Sequence, residues 1–598
     1  MSSSAGRVRF FESMVVSSSG WRGVFGEGEE SFSTELPLEK LQVITAAAYA
    51  VGKTITAIEP AGDVLVATDS RPTGPPLAAT VMQTLRGLGI TIRYIGVSPT
   101  PEVLAYAKAA PGIGGFLILT ASHNPVGHNG IKFGLGDGRV VGGTTASGAA
   151  MTFEETIRSD ELFRLASAAL TEGERLGLEK TYGALDTYKA EAEEAYRRKM
   201  MEALLRVSPE RDGAELLSQL QEGIRREPMG VVIDYNGSAR ANSIDESFLS
   251  SLGVEVKTLH AKPGEIAHRI VPEGSGLDEC KAALQEAYQE NPIFRIGYAA
   301  DNDGDRGNLV FIDGESGRAE ELHAQEVFAL SMVAELAWGE LAGLVQPDRN
   351  GGAIVVNGPT SLRVDEIARP WGAKVYRSEV GEANVIDRAA VLTGERIVIM
   401  GEGSNGGNIT PPSQVRDPLS TVGAMIKLSR SDAYSSWFRR LGLTVPEKRD
   451  LRRLARALPR YVTTGAYEDR AILQITTQDH GALKRAYEKN LPAAFEDRRA
   501  WLRDRCNAVE YRVINYEGIQ ELPGLGNRSG NERGGFKVEF LDERGVPVAF
   551  VWMRGSKTES AFRIMADLRG DDREVEAALL DWHAGLVRRA DEVATGGD

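Results

Sequence analysis

A chain of 598 residues, 42% hydrophobic and 26% charged, is too long for one core and suggests about four domains. Its formal net charge of -15 argues against a phosphate-backbone binder, so nucleic acid is not an expected partner and positive charge must be gathered locally to handle any anionic small molecule. Cys280 and Cys506 are too far apart for a disulfide framework or a cysteine metal cluster, and with no secretory core at the start and no apolar run near the ~20 residues of a membrane span, we expect a cytoplasmic protein without a membrane partner.

Ser19-Gly-Trp-Arg-Gly23 is a turn-like segment with one cation, Arg22, ahead of the acidic stretch 26–30. Gly52-Lys-Thr54 looks like the end of a nucleotide-binding Walker loop, but Ala47 stands where the first glycine belongs. The pattern then predicts a strand over 64–68 ending at Asp69-Ser-Arg71, a helix over 77–88, a strand over 91–97, a helix over 101–109 with Pro101 in its first turn, and a strand over 116–119. Such alternation implies parallel strands with right-handed crossovers. The run Phe116 to Leu119 passes into Thr120-Ala-Ser-His-Asn-Pro125, which places Ser122 at a strand end, the rim where open α/β sheets bind ligands. Ser, Asn and Pro also favour turns for conformational reasons alone, so this loop takes its meaning from the others.

Residues 151–225 are charged and helix-prone and read as solvated surface helices leading out of the first unit. The layout then repeats with strands over 229–233, 254–259 and 294–298 and helices over 244–252 and 277–289, emptying into Asp301-Asn-Asp-Gly-Asp-Arg306. It repeats again with strands over 353–356, 373–376 and 397–400 and helices over 361–368 and 385–391, emptying into Gly401-Glu-Gly-Ser-Asn-Gly-Gly407. Residues 431–505 read as linker and helices. Strands over 536–540, 548–553 and 562–568 and a closing helix over 572–589 follow, with the loop Arg554-Gly-Ser-Lys-Thr-Glu-Ser560 between two strands. The expected class is α/β, with three similar mixed α/β domains and a smaller C-terminal α+β domain. The expected divisions are 1–225, 226–330, 331–450 and 451–598.

Asp301, Asp303 and Asp305 cannot share a helix face, because residues two apart do not face each other there, but in a loop they can converge on a cation. Oxygen-only donors favour Mg²⁺ or Ca²⁺ over zinc. A calcium-binding EF-hand is excluded, since Arg306 and Ile312 occupy its glycine and acidic positions. A phosphorylated Ser122 would carry about -1.5 to -2 charges and would repel the three carboxylates unless a divalent cation lay between. Lys132 and Arg22 are then candidates to lower the pKa of a substrate hydroxyl or hold its proton. Arg554, Ser556, Lys557 and Thr558 have a phosphate-binding composition, and Glu402 with Ser404 among glycines suits a polyhydroxylated ligand. His123 neighbours Ser122 in sequence, which alone makes no Ser-His-Asp site.

Taken together, Thr120-Ala-Ser-His-Asn-Pro125 with Asn129-Gly130 and Lys132, Asp301 to Arg306, Gly401 to Ser404, and Arg554 to Glu559 resemble, in this order, the phosphoserine, metal, sugar and phosphate loops of the α-D-phosphohexomutase superfamily. The resemblance covers most of the chain and extends to Ser19-Gly-Trp-Arg-Gly23. It implies four domains around a central cleft and a phosphoryl transfer between phosphorylated Ser122 and a hexose phosphate through a hexose 1,6-bisphosphate, which also serves as activator. It implies Mg²⁺ held by Asp301, Asp303, Asp305 and the phosphoserine, proton transfer assisted by Lys132 and Arg22, and a substrate grip from Arg306, Glu402, Ser404, Arg554, Ser556, Lys557 and Thr558. The expected partner is a small-molecule sugar phosphate and the expected state a monomer or homodimer. Glucose or mannose phosphates are the expected substrates, with glucosamine phosphate the main alternative and a non-catalytic sugar-phosphate binder a weaker one. Asn405-Gly406 departs from the Gly-His that many members carry after the sugar-loop serine, Ser560 stands where proline is usual, and Glu379-Val-Gly-Glu-Ala-Asn384 looks more like the phosphoglucosamine and archaeal-type branches.

Overall fold

Three stretches of the chain build the same sheet, because each supplies short Val, Ile and Leu runs of the kind that parallel strands buried on both faces require. In the first, β1 (Val15–Ser17), β2 (Gly20–Val24), β3 (Asp63–Thr68), β4 (Ile92–Val97), β5 (Ile113–Leu119) and β6 (His128–Leu135) lie in the order β1-β2-β6-β5-β3-β4. In the second, β7 (Gly230–Asp234), β8 (Glu255–Leu259), β9 (Phe294–Ala300), β10 (Gly307–Ile312) and β11 (Ala319–Glu321) lie in the order β11-β10-β9-β7-β8. In the third, β12 (Ala353–Asn357), β13 (Lys374–Ser378), β14 (Ile397–Gly401) and β15 (Asn408–Ile409) lie in the order β13-β12-β14-β15. These positions come from a computed structural model that describes residues 4–17, 20–208, 213–347, 349–403, 406–447, 449–466, 468–528, 534–555 and 561–596.

In each sheet the three expected strands pair in parallel, and a fourth returns antiparallel beside the last of them: β6 on β5, β10 on β9, β15 on β14. The sequence pattern does not announce these return strands. The stretch His-Asn-Gly-Ile-Lys-Phe-Gly-Leu of β6 mixes polar residues and glycines into its alternation, and β15 is two residues long. Their consequence is that every loop singled out in the three repeats is a hairpin connection.

The chain falls into two compact units, Met1–Glu321 with Pro412–Val422 and Leu322–Pro411 with Gly423–Asp598. The first unit holds the first two sheets. Phe116, Leu117, Ile118 and Leu119 are fully buried in it, each such side chain contributing about 1.5–3 kcal/mol through lost water contact. The helix Leu38–Ile58 is long and apolar enough to cross a membrane by length and composition, which corrects the expectation that no run approaches that length. It packs instead on the first sheet, burying Val43, Ile44, Val51 and Ile55. The Walker-like Gly52 is in its interior, where an added Cβ would meet Leu85 at 2.8 Å, so this glycine serves helix packing.

Residues 151–225 are helical as expected, but they do not simply lead away from the first unit. Asp160–Leu176 packs along Gly74–Gly87, burying Ala166, Ala169 and Gly173, and Leu185–Leu205 packs on Thr100–Ala109 and β4. Small residues on a charged helix mark a close contact that composition alone conceals.

The second unit holds the third sheet and a seven-stranded antiparallel one of β16 (Tyr461–Thr463), β17 (Ile472–Gln474), β18 (Glu510–Glu517), β19 (Gln520–Pro523), β20 (Gly535–Leu541), β21 (Pro547–Gly555) and β22 (Ala561–Arg569). Helices His480–Cys506 and Arg573–Ala594 pack against each other beside it. The stretch expected to be linker and helices therefore contributes two edge strands, β16 and β17, each only three residues long.

Candidate active site

In the first unit, β5 ends at Leu119 and the chain turns through Ser122, a non-glycine residue held in the left-handed region at φ 54°. Its backbone N–H donates to Thr120 Oγ1 at 2.8 Å, and its buried hydroxyl donates to Asp301 Oδ2 at 2.8 Å. The loop is held from below by Arg71. This buried guanidinium pairs with Asp69 Oδ2 at 3.0 Å and donates to the carbonyls of Ser122 (2.7 Å), Asn124 (2.6 Å), His128 (3.1 Å) and Pro125. Asp69 and Arg71 thus belong to the site although sequence reasoning missed their role. The available signal was a pair of opposite charges at the end of a buried strand.

Pairing of β2 with β6 places Arg22 opposite Gly130, where a Cβ would meet the Trp21 carbonyl oxygen at 1.8 Å, so only glycine lets the strands approach. Burial and the neighbouring Arg306 hold the Arg22 guanidinium below its usual pKa, against the pull of Asp303, Asp305 and Asp301. Lys132, two residues along β6, donates to Asp303 Oδ2 and Asp305 Oδ2 at 2.7 Å each. Burial opposes its charge, but the two carboxylates outweigh burial and raise its pKa.

Asp301, Asp303 and Asp305 come from the hairpin between β9 and β10, and one oxygen of each lies within 4.8 Å of the others. Burial and the repulsion of its two neighbours push the Asp301 carboxyl upward. Asp305 is held down despite its burial by Lys132, Arg416 and Arg306, with Arg416 Nη2 at 3.5 Å from its Oδ1. Arg306 donates through its backbone to Asp301 Oδ1 at 3.1 Å, and its Nη1 is 2.8 Å from His123 Nδ1. Since a guanidinium only donates, His123 accepts through Nδ1. Burial and the charges of Arg306 and Arg22 keep that imidazole neutral.

A second buried arginine supports this loop. Arg240 donates to the Gly304 carbonyl at 2.8 Å and to Tyr196 Oη at 2.9 Å, pairs with Asp245 at 2.7 Å, and is 3.2 Å from Asp417. Gly304 has φ 67°, and an added Cβ would meet Arg240 Cγ at 2.5 Å. Tyr196, which lies in the helical stretch 151–225, also donates to Asp417 Oδ2 at 2.7 Å.

In the second unit, the hairpin between β14 and β15 carries buried Glu402, whose Oε1 accepts from Asn357 Nδ2 at 3.0 Å and from the Gly381 N–H at 2.8 Å. Two residues before Gly381, Glu379 pairs with Arg554 at 2.8 Å and accepts from the Gly535 N–H at 2.8 Å. The 379–381 segment therefore joins the candidate sugar residue to the candidate phosphate residue. Ser404, Ser556, Lys557 and Thr558 lie outside the described residues. Buried Lys484, absent from the sequence reading, donates to the Gly534 carbonyl, and burial lowers its pKa to about 8. Its signal was weak, a single lysine on a long charged helix.

A family model described as phosphoglucomutase/phosphomannomutase, alpha/beta/alpha domain I, matches residues 13–156. The chain is 28% identical over 405 residues to the phosphoglucosamine mutase of Salinispora arenicola, covering 66% of this chain and 74% of that protein. It is likewise 28% identical over 373 residues to the phosphoglucomutase/phosphomannomutase of Thermococcus kodakarensis, covering 61% and 68%. Its fold is similar to that of a phosphoglucomutase/phosphomannomutase family protein from Burkholderia thailandensis, with TM-score 0.58, 18% identity and coverage of 98% and 99%. Residues 13–156 thus match a first α/β/α domain of the phosphoglucomutase/phosphomannomutase type, and the chain as a whole is similar to proteins named as mutases of that group. The relatives are named mutases, isomerases of the phosphotransferase type, and that is the expected enzyme class.

The acidic hairpin fits a hard divalent cation. Its donors are all carboxylate oxygens, they converge, and Asp303 Oδ1 is buried with no hydrogen-bond partner among the described residues. Ser122 Oγ adjoins the same group, so a phosphate on it would add a further oxygen.

Proposed function

We propose that this protein is a Mg²⁺-dependent phosphohexomutase, interconverting the 1- and 6-phosphates of glucose or mannose in the cytoplasm, as a monomer or homodimer. The observation that carries the reading is Ser122, buried at the end of β5 with its hydroxyl 2.8 Å from the nearest of three converging carboxylates. Asp301, Asp303 and Asp305 would hold Mg²⁺, which supplies positive charge to phosphoryl oxygens when bound.

In the forward half-reaction the bond from phosphorus to Ser122 Oγ breaks, a bond forms from phosphorus to the sugar hydroxyl oxygen, and the proton that hydroxyl gives up ends on the departing Ser122 Oγ. In the second half the other phosphate of the hexose 1,6-bisphosphate returns to Ser122 Oγ, whose hydroxyl proton ends on the freed sugar oxygen. No phosphate is lost. Lys132 keeps its proton between two carboxylates, so it acts as a fixed positive charge that eases proton loss from the substrate hydroxyl, with Arg22 and Arg306 adding to it. Arg71 aims the Ser122 oxygen by fixing the loop carbonyls around it. Arg554, Ser556, Lys557 and Thr558 bind the non-reacting phosphate, and Glu402 and Ser404 accept hydrogen bonds from sugar hydroxyls.

Glucosamine phosphate is the second reading, favoured by the name of the Salinispora arenicola relative. A panel of glucose, mannose and glucosamine 1-phosphates, each with its 1,6-bisphosphate, separates the two. Interconversion without free phosphate is the expected result. Phosphate release without 6-phosphate product would make the protein a phosphatase, and binding without turnover would make it a silent sugar-phosphate binder.

A further inference from the structure

A second group of metal-ligating side chains lies away from the serine loop, at the ends of β7 and β8. Asp234 closes β7 and is fully buried. Its Oδ1 is 3.0 Å from His260 Nδ1 and its Oδ2 is 2.9 Å from His268 Nε2. One ligand atom from each of the three lies within 4.8 Å of the others. The backbone is shaped around them. His260 has φ 46° and Asn236 φ 43°, and Asn236 Oδ1 accepts the N–H groups of Ala267 (2.8 Å) and His268 (3.1 Å), fixing the second histidine's loop.

The outer nitrogens decide what the inner ones can do. His268 Nδ1 is 3.0 Å from the Arg269 carbonyl oxygen, which can only accept, so Nδ1 carries the proton. His260 Nε2 faces the Glu279 carboxylate at 3.2 Å, which places its proton there by the same reasoning. In their neutral forms both imidazoles therefore turn a lone pair toward the Asp234 carboxylate. Three electron-rich groups facing one another need positive charge between them, either an extra proton on each ring or one cation. An imidazole whose far N–H is held by a carboxylate or a carbonyl is the arrangement that orients histidine as a metal ligand.

We infer that Asp234, His260 and His268 bind one Zn²⁺ ion, with Glu279 and the Arg269 carbonyl orienting the two rings. Two imidazoles and a carboxylate suit zinc, whereas the oxygen-only hairpin at Asp301 suits Mg²⁺. His260 and His268 are 26% and 12% exposed, which leaves solvent access for a water in the fourth position. The bound ion ties the ends of β7 and β8 to the segment carrying His268.

The test uses the full chain stripped by chelator and kept in excess Mg²⁺, with Co²⁺ as a spectroscopic stand-in for zinc. One tightly held Co²⁺ per chain is expected, with the visible bands of a tetrahedral site, displaced by Zn²⁺ and unchanged in Asp301→Ala. His260→Ala should lose the bands, and Glu279→Gln should weaken binding by about 10- to 100-fold. Absence of tetrahedral bands in the unsubstituted protein overturns the proposal. Bands that persist in His260→Ala overturn it as well.

Discussion

The serine loop and the acidic loop of the first unit occupy equivalent places, each a hairpin leaving the third parallel strand of its sheet, yet they are secured differently. Arg71 gives the serine loop four carbonyl contacts and keeps one pairing for Asp69. Arg240 gives the acidic loop a single carbonyl contact, at Gly304, and uses its remaining donors on Asp245, Asp417 and Tyr196. The difference follows from backbone strain. Ser122 sits in the left-handed region with a Cβ, which costs on the order of 1–3 kcal/mol unless its surroundings over-determine it, whereas the acidic loop makes its left-handed turn at Gly304 without that penalty. The dense clamp stands where the strain is.

The largest effect expected on this comparison comes from Ser122→Ala, which should lower turnover at least about a thousandfold while leaving the melting temperature near its original value. Retained turnover would remove the serine loop from the chemistry. Next come the clamps. Arg71→Met leaves Asp69 buried without its cation and should cost about 3–5 kcal/mol in denaturant unfolding, as should Arg240→Met. The two should part in kinetics, the first lowering kcat at saturating Mg²⁺ and the second raising the Mg²⁺ concentration needed for half-activity. Identical kinetic signatures would mean that the loops are held as one body.

A pH series sharpens the electrostatic side. The Asp301 pKa is raised above its ordinary 3.8, so the metal-free folded protein holds a proton that the unfolded chain releases earlier. Stability contributed by that proton is present at low pH and is lost as pH rises from 3.8 into the neutral range. Thermal melts in chelator should show this decline, and Mg²⁺ should flatten it. A chelated protein that grows more stable across the same range would refute the charge arrangement. The smallest effect belongs to Ser70→Ala, which deletes a 2.8 Å hydrogen bond to Asn302 joining the end of β3 to the acidic loop. A loss of about 0.5–1.5 kcal/mol with little change in kcat is expected, measured by the same melts and rates.

Much of this organisation was legible in the chain. The runs at 64–68, 229–233 and 353–356 are buried β strands because a strand covered on both faces needs little besides Val, Ile and Ala, and that requirement is local. The spacing of Asp301, Asp303 and Asp305 was equally readable, since alternate carboxylates in a turn leave few chemical uses. The return strands β6 and β15 were not, because glycine, polar residues and brevity erase the alternation. The contribution of Tyr196 was hidden for another reason. It lies in a charged helix that composition assigns to solvent, and only packing shows which face turns inward.

Local pattern by itself determined where the three repeated cores and their loops fall and which donors those loops carry, because burial period and ligand chemistry are properties of a few consecutive residues. Tertiary structure alone decided that Ser122 meets Asp301 across 179 residues, that Arg71 and Arg240 lie beneath their loops, and that Asp234, His260 and His268 face one another. Those pairings depend on strand order and on the register between β5 and β6 or β9 and β10, quantities set by how whole sheets assemble and carried by no short stretch of the chain.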